Sequence, residues 1–284
     1  MKTKLFIFLL FLIWFCFDGF SQNDSIVKLN LVQQKQKGSF YFTFGYTRCT
    51  YSKSTIHFED HSGKMRDNNT GKPTDYDFTI YNATAKDRPD FDKIPDVVNI
   101  TVPQFVVHAG YYFNDKKDLG IEINYDHAKY VVDDYQRIHV KGQFNGNYVD
   151  KDTILDPKNF LHFEHTDGAN FVMVNILKRW KLYNPGKLLN IGWVAKAGGG
   201  AVYPRTDVTI FGERLNNNWH IAGWIVGVET GMRVEFLKHG VFEFTSKGTF
   251  ADYSHCLVLG KGNGRARHTF FCGQLTATIG FVIK

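Results

Sequence analysis

Several groups of residues stand at spacings that could support chemistry. His57, Glu59 and His61 recur every second position, so on an extended strand all three point to one face and could offer two imidazoles and a carboxylate to a metal ion. One strand alone rarely completes a coordination sphere, and polar residues are expected in a loop anyway, so a solvated surface explains the same residues. Glu164, His165 and Asp167 form a second acidic, imidazole-rich patch open to the same two readings. Ser254 and His255 are the best-spaced pair for an activated nucleophile. Adjacent residues on a regular strand point to opposite faces, however, and parity turns Ser254 outward. The glycines at 198–200, 223, 227 and 231 lack the helix and the Lys-Ser/Thr that a phosphate loop requires. No catalytic residue and no cofactor motif is therefore assigned.

A further set is defined by parity. Glu122, Asp126, Lys196, Glu229, Arg233, Glu243 and Lys247 fall on the polar side of segments that alternate with period two. The elements that must position them are strands. Phe40, Phe42, Phe44 and Tyr46 oppose Tyr41, Thr43, Gly45 and Thr47; Leu119, Ile121, Ile123 and Tyr125 oppose Gly120, Glu122, Asn124 and Asp126. Trp224, Val226, Val228, Met232 and Val234 oppose Gly223, Gly227, Glu229, Gly231 and Arg233, and Leu275 to Ile283 alternate with Gln274 to Gly280. The polar side is rich in Gly, Thr and Asn with isolated charges, which suits a crowded lumen where charges pair across a barrel rather than a face open to water. Such a set could line a conducting interior or fill a narrow one. A barrel of about eight strands has an interior just wide enough for side chains to fill, which favours filling.

Turn lengths support a membrane barrel. Short turns at 114–118, 184–187 and 238–240 alternate with longer connections at 132–167, 204–218 and 257–265. Strands near 38–48, 103–114, 118–131, 168–183, 187–203, 219–236, 239–256 and 266–284 then make an antiparallel up-and-down barrel of about eight strands, with ten as the alternative. Residues 49–102 form one large outer excursion, in which 50–60 and 76–85 are expected to pair as a hairpin and 87–94 to link back irregularly. Trp180, Tyr183, Tyr203 and Trp219 fall near run ends, as interfacial girdles do.

The N-terminus carries Lys2 and Lys4 before the apolar run Leu5–Phe15, too short to span a bilayer comfortably, followed by Gly19 and Ser21. Residues 1–21 are read as a cleaved signal peptide and 22–37 as a periplasmic segment, leaving 38–284 as the barrel. Removing Lys2, Lys4 and Asp18 takes the formal charge of +6 to +5, spread along the chain. Nucleic acid is not an expected partner. Cys49, Cys256 and Cys272 remain; an odd number leaves at least one thiol unpaired within the chain, and a Cys49–Cys256 bridge stays open.

A cleavable leader, repeated alternating strands and a terminal amphipathic strand carrying Phe281 together resemble the bacterial outer-membrane β-barrel superfamily. Lys284 stands where an aromatic final residue is common in that superfamily. The resemblance implies residence in the outer membrane of a Gram-negative cell and insertion by the barrel-assembly machinery. It also implies contact with outer-membrane lipid and lipopolysaccharide. The expected role is non-enzymatic, structural or binding, with residues 49–102 as the surface for a protein partner. A lipid A-modifying barrel enzyme and a small pore or transporter are the alternatives.

Overall fold

The structure, a computed structural model, describes residues 38–88, 104–114, 118–144, 146–165, 167–186, 188–259 and 263–283. The expected signal peptide, the 22–37 segment and most of the 87–94 link lie outside these residues. In chain order the strands are β1 (Ser39–Tyr51), β2 (Ser54–Arg66), β3 (Pro73–Ala83), β4 (Ala85–Lys86), β5 (Phe105–Asn114), β6 (Leu119–Asp126), β7 (Tyr130–Val132), β8 (Arg137–Phe144) and β9 (Asn147–Ile154). They continue with β10 (Leu161–His165), β11 (Phe171–Gly186), β12 (Leu189–Val202), β13 (Asp207–Ile210), β14 (Glu213–Asn216), β15 (Gly223–Phe236), β16 (Gly240–Leu257) and β17 (Arg265–Ile283). Among the described residues there is no helix.

The ring runs β1-β5-β6-β11-β12-β15-β16-β17 and closes through β1 and β17, each pair antiparallel. Closure leaves these strands no open edge within the ring, the condition under which a sheet can sit in lipid. The alternation read from sequence is turned inside out relative to a water-soluble barrel. On β11 Ile176 is 70% exposed while its neighbour Asn175 is 2% exposed. On β16 Phe242 and Phe244 face outward while Glu243, Thr245, Lys247 and Thr249 face in. Phe40, Ile123, Val228, Ile279 and Ile283 continue the exposed apolar belt around the ring.

Close strand approach is set by small residues. A Cβ on Gly200 would lie 1.8 Å from the Val172 carbonyl oxygen, so only glycine lets β12 pass β11 there. At the short-turn end Leu237 and Lys238 carry φ of 51° and 70° in the tight connection from β15 to β16.

At the other end the ring continues into a folded cap. A membrane strand needs about 9–11 residues, whereas β16 has 18 and β17 has 19. The outer end of β17 pairs with β2, and the sheet extends through β3 and β8 to β9. A second sheet, β14-β13-β10-β7-β4, covers it. Phe58 on β2 meets Phe163 on β10 edge-on at 5.3 Å, and Phe78 on β3 reaches Phe211 at 6.2 Å. Ile80, Val140 and Val208 join this core, which runs without a break into the upper barrel through Met173, Ile225, Ala251 and Phe270.

The 49–102 excursion, in its described residues, is one part of this cap. The 50–60/76–85 hairpin exists as β2–β3, but β8 and β9 extend it, and the 127–170 and 203–222 connections supply most of its cover. β7 is buried at every position, as is β13, and β10 at all but one. Strands of three to five residues are too short for any alternation in them to stand out from loop sequence.

Candidate functional site

The barrel interior is divided along its axis. Toward the short turns it holds ionic groups; toward the cap it is apolar. All seven residues assigned lumen parity from sequence lie inside the ring and are buried. Lys196 Nζ on β12 sits 2.8 Å from Glu122 Oε2 on β6, 3.0 Å from Glu243 Oε2 on β16 and 3.2 Å from Glu229 Oε1 on β15. Arg233 Nη1 donates to Glu243 Oε1 at 2.7 Å. Lys247 Nζ donates to Asp126 Oδ2 at 2.5 Å. The strands that supply these groups are neighbours or face one another across the ring, so side chains two or more strands apart converge.

Parity reading missed several members of the same network. Arg179 on β11 pairs with Glu235 and donates to Asp118 at 2.7 Å, and Tyr41 Oη donates to Glu122 at 2.5 Å. Glu235 continues the Glu229–Arg233 series by one more step, so the signal was present; Arg179 has the same relation to Asn175. His108 lies amid the carboxylates, its Nδ1 3.7 Å from Glu122. The Arg233 guanidinium stacks on Tyr41 at 4.3 Å and the Arg179 guanidinium on Tyr112 at 4.5 Å, covering the ionic layer with aromatic rings. Four cations (Arg179, Lys196, Arg233, Lys247) thus meet six carboxylates (Asp118, Glu122, Asp126, Glu229, Glu235, Glu243) in a space filled by side chains. In low dielectric such charges persist only when paired and hydrogen-bonded. The arrangement braces the strands, and the apolar core lies at the cap end.

The His57, Glu59 and His61 set lies on β2 in the cap. His57 Nε2 is 3.3 Å from Glu59 Oε2, and His61 Nε2 is 3.5 Å from Asp77 on the adjacent strand. Glu59 also accepts a hydrogen bond from Arg267 at 2.5 Å, which, with the His57 bond, lowers the Glu59 carboxyl against the opposing effect of partial burial. The set is partly exposed and engaged in a ladder of ion pairs with its neighbours.

Two other groups bring ligand atoms closer. Among the described residues, His108, Glu122 and Glu243 in the lumen, and His165, Cys256 and His268 where cap meets barrel, each hold their ligand atoms within 4.8 Å of one another. His165 belongs to the second acidic patch of the sequence, whose other members are drawn elsewhere: Glu164 to Arg88 at 2.6 Å and Asp167 to Arg205 at 2.5 Å. Burial holds the His165 imidazole well below its ordinary value, with His268 and His220 adding to the effect. His162, two residues earlier, is pushed up to about 8 by Glu164 and by Asp134, whose Oδ1 lies 2.8 Å from Nδ1.

Cysteine and serine positions depart from the sequence reading. Cys49, Cys256 and Cys272 are all free and buried, so the open Cys49–Cys256 bridge is not formed. Cys49 lies on β1 against β17, two rungs from Cys272, while Cys256 is near the top of β16. A register break between Tyr253 and Cys256 turns both inward although they are three apart. The same bulge overturns the geometry inferred for Ser254 and His255: Ser254 Oγ and His255 Nδ1 approach to 3.1 Å. His255 is exposed and Ser254 half-buried, and the other bond of the hydroxyl is to the Ala222 carbonyl at 3.4 Å.

No family model and no curated protein matches the chain. Among solved structures it is similar to the attachment invasion locus protein Ail of Yersinia pestis, at 9% identity over 87% of this chain and 100% of that one, with a TM-score of 0.32. It is also similar to the outer membrane protein OprG of Pseudomonas aeruginosa (11% identity, 87% and 97% covered, TM-score 0.38). A third is the Neisserial surface protein A (12% identity, 86% and 99% covered, TM-score 0.34). The likeness to these outer-membrane and surface proteins is one of architecture, an all-β antiparallel barrel.

Proposed function

We propose that the protein is a non-enzymatic outer-membrane barrel of a Gram-negative cell, exported with residues 1–21 as a cleaved signal, whose ring is an anchor and whose cap is a binding surface. The observation that carries this reading is the filled interior. Paired charges occupy the lower lumen and an apolar core the upper, while a two-sheet cap with its own aromatic centre stands beyond the ring. Mass placed outside a closed barrel and ending in exposed polar strands such as β9 is most simply a contact surface. Outer-membrane lipid surrounds the apolar belt in this reading, and lipopolysaccharide or a protein partner meets the cap.

Planar-bilayer recording of the purified protein tests it, with silence as the expected result; discrete ion-selective steps would replace the anchor by a pore. Mass spectrometry of lipid A from cells with and without the gene should give the same acyl pattern. A changed pattern would move the protein into the lipid A-modifying class. Removal of β8 and β9 by a short turn should abolish binding of purified lipopolysaccharide or partner while leaving the barrel heat-modifiable on gels.

A further inference from the structure

The junction between barrel and cap holds a group of side chains that neither anchoring nor surface binding uses. His165 comes from β10 of the second sheet, His268 from the outer end of β17, and Cys256 from β16, where the bulge turns it inward. All three are at least 97% buried. The Nε2 atoms of the two histidines face each other at 3.3 Å, and the Cys256 sulfur completes a triangle no wider than 4.8 Å. We propose that these three side chains form a site for one monovalent copper ion.

The spacing suits a metal. Ligand bonds of about 2.0–2.1 Å to nitrogen place two coordinated nitrogens about 3.3–3.6 Å apart in tetrahedral or trigonal geometry. The Nε2 separation already has that value before any rearrangement. The outer hydrogen bonds aim the rings as metal sites require. Ser54 Oγ donates to the Thr269 carbonyl at 2.9 Å, so toward His268 Nδ1, at 3.4 Å, it can only accept. The His268 proton therefore sits on Nδ1 and its Nε2 presents a lone pair to the centre. His165 Nδ1 has Thr206 Oγ1 at 3.2 Å, a hydroxyl that can donate or accept. Without metal, His165 Nε2–H donates to His268 Nε2. On binding, His165 carries its proton on Nδ1, from which Thr206 Oγ1 accepts a hydrogen bond, freeing both Nε2 lone pairs.

The choice of ion follows from charge and surroundings. Binding releases the Cys256 thiol proton to solvent and forms the sulfur–metal bond, so a monovalent cation with one thiolate and two neutral imidazoles is neutral overall. A divalent ion would leave a positive charge in a pocket walled by rings, at a high desolvation cost. Tyr253 stacks on His165 at 4.8 Å and on His268 at 5.0 Å, while Phe163 and Tyr130 close the remaining sides. Thiolate is the soft donor that favours Cu(I), imidazole also suits copper, and three ligands satisfy Cu(I) without water.

The test is competition against a chromophoric Cu(I) chelator under reducing conditions, with copper added both to the folded protein in detergent and during refolding. The expected result is one equivalent held by the wild type in at least one protocol, with one sulfur and two nitrogens seen by X-ray absorption. Cys256→Ser and His268→Ala should lose the competition, Ser54→Ala should weaken it about 10–100-fold, and Cys272→Ser should retain it. The X-ray absorption ligand count on wild type decides the matter even where a variant fails to fold. No copper held under either protocol, full competition by Cys256→Ser, or displacement of Cu(I) by equimolar Zn(II) would each overturn the proposal.

Discussion

The ionic layer makes a sharp demand on Lys196. Its Nζ lies within 3.2 Å of Glu122, Glu229 and Glu243. Substitution by methionine keeps most of the volume and removes the charge. Glu243 would retain Arg233 at 2.7 Å, and Glu122 would retain the Tyr41 hydroxyl at 2.5 Å and the Asn175 amide at 3.3 Å. Glu229 would not be so served: neither of its oxygens has a hydrogen bond among the described residues, and Lys196 is its ion-pair partner. One carboxylate would be stranded in a dry interior, and removing one partner of a buried pair costs about 3–5 kcal/mol. Lys196→Met should therefore unfold at clearly lower urea than wild type when refolded into lipid vesicles and followed by tryptophan fluorescence. Adding Glu229→Gln removes the stranded charge, and the double variant should recover about 2 kcal/mol. A loss under about 1 kcal/mol for Lys196→Met, as at a solvated surface pair, would refute the dry, coupled interior. A double variant no more stable than the single would refute Glu229 as the stranded group.

Three further outcomes test the remaining layers. Ile176 stands 70% exposed in the apolar belt, so Ile176→Arg should destabilise the protein in bilayers by about 2–4 kcal/mol if it lies near the membrane midplane; an unchanged urea midpoint in vesicles would put that face in water. Phe58, fully buried between the sheets of the cap, should cost about 3–5 kcal/mol as Phe58→Ala, seen as early proteolysis of the cap while the ring stays heat-modifiable. His162 has a pKa raised from 6.5 to about 8, so it adds stability below about pH 6.5 that is lost as pH rises through 8, about 2 kcal/mol in all; His162→Gln should flatten that part of the thermal-melt profile, and an unaltered profile would remove the assigned role of Glu164 and Asp134.

How much of this was legible depends on whether a strand has two different faces. The long ring strands do, so Phe242 against Glu243 and Ile176 against Asn175 announced both location and direction, and the lumen charges could be named by parity alone. The cap strands β7, β10 and β13 are only three to five residues long and bury both parities, so they give no sustained period to read and pass for loop sequence. Phe58 stacks on Phe78 within the expected hairpin, but Phe163, which covers it from the second sheet, comes from a strand far along the chain, a distance over which pattern carries no information. Cys256 was hidden for a different reason. Strict alternation sends it outward, and only the bulge after Tyr253 reverses it, bringing Ser254 and His255 together by the same shift. A one-residue irregularity leaves little trace in composition.

The continuity of β16 and β17 from ring to cap has a mechanical consequence. A loop hung from a single turn peels away one hydrogen bond at a time when tugged. Here a pull on the cap runs lengthwise along two strands of 18 and 19 residues, and the cross-strand bonds of the ring lie across that direction and share the load. Whatever the cap grips under drag, the tension would pass into the whole wall of the barrel, making the molecule a stiff tether rather than a flexible one.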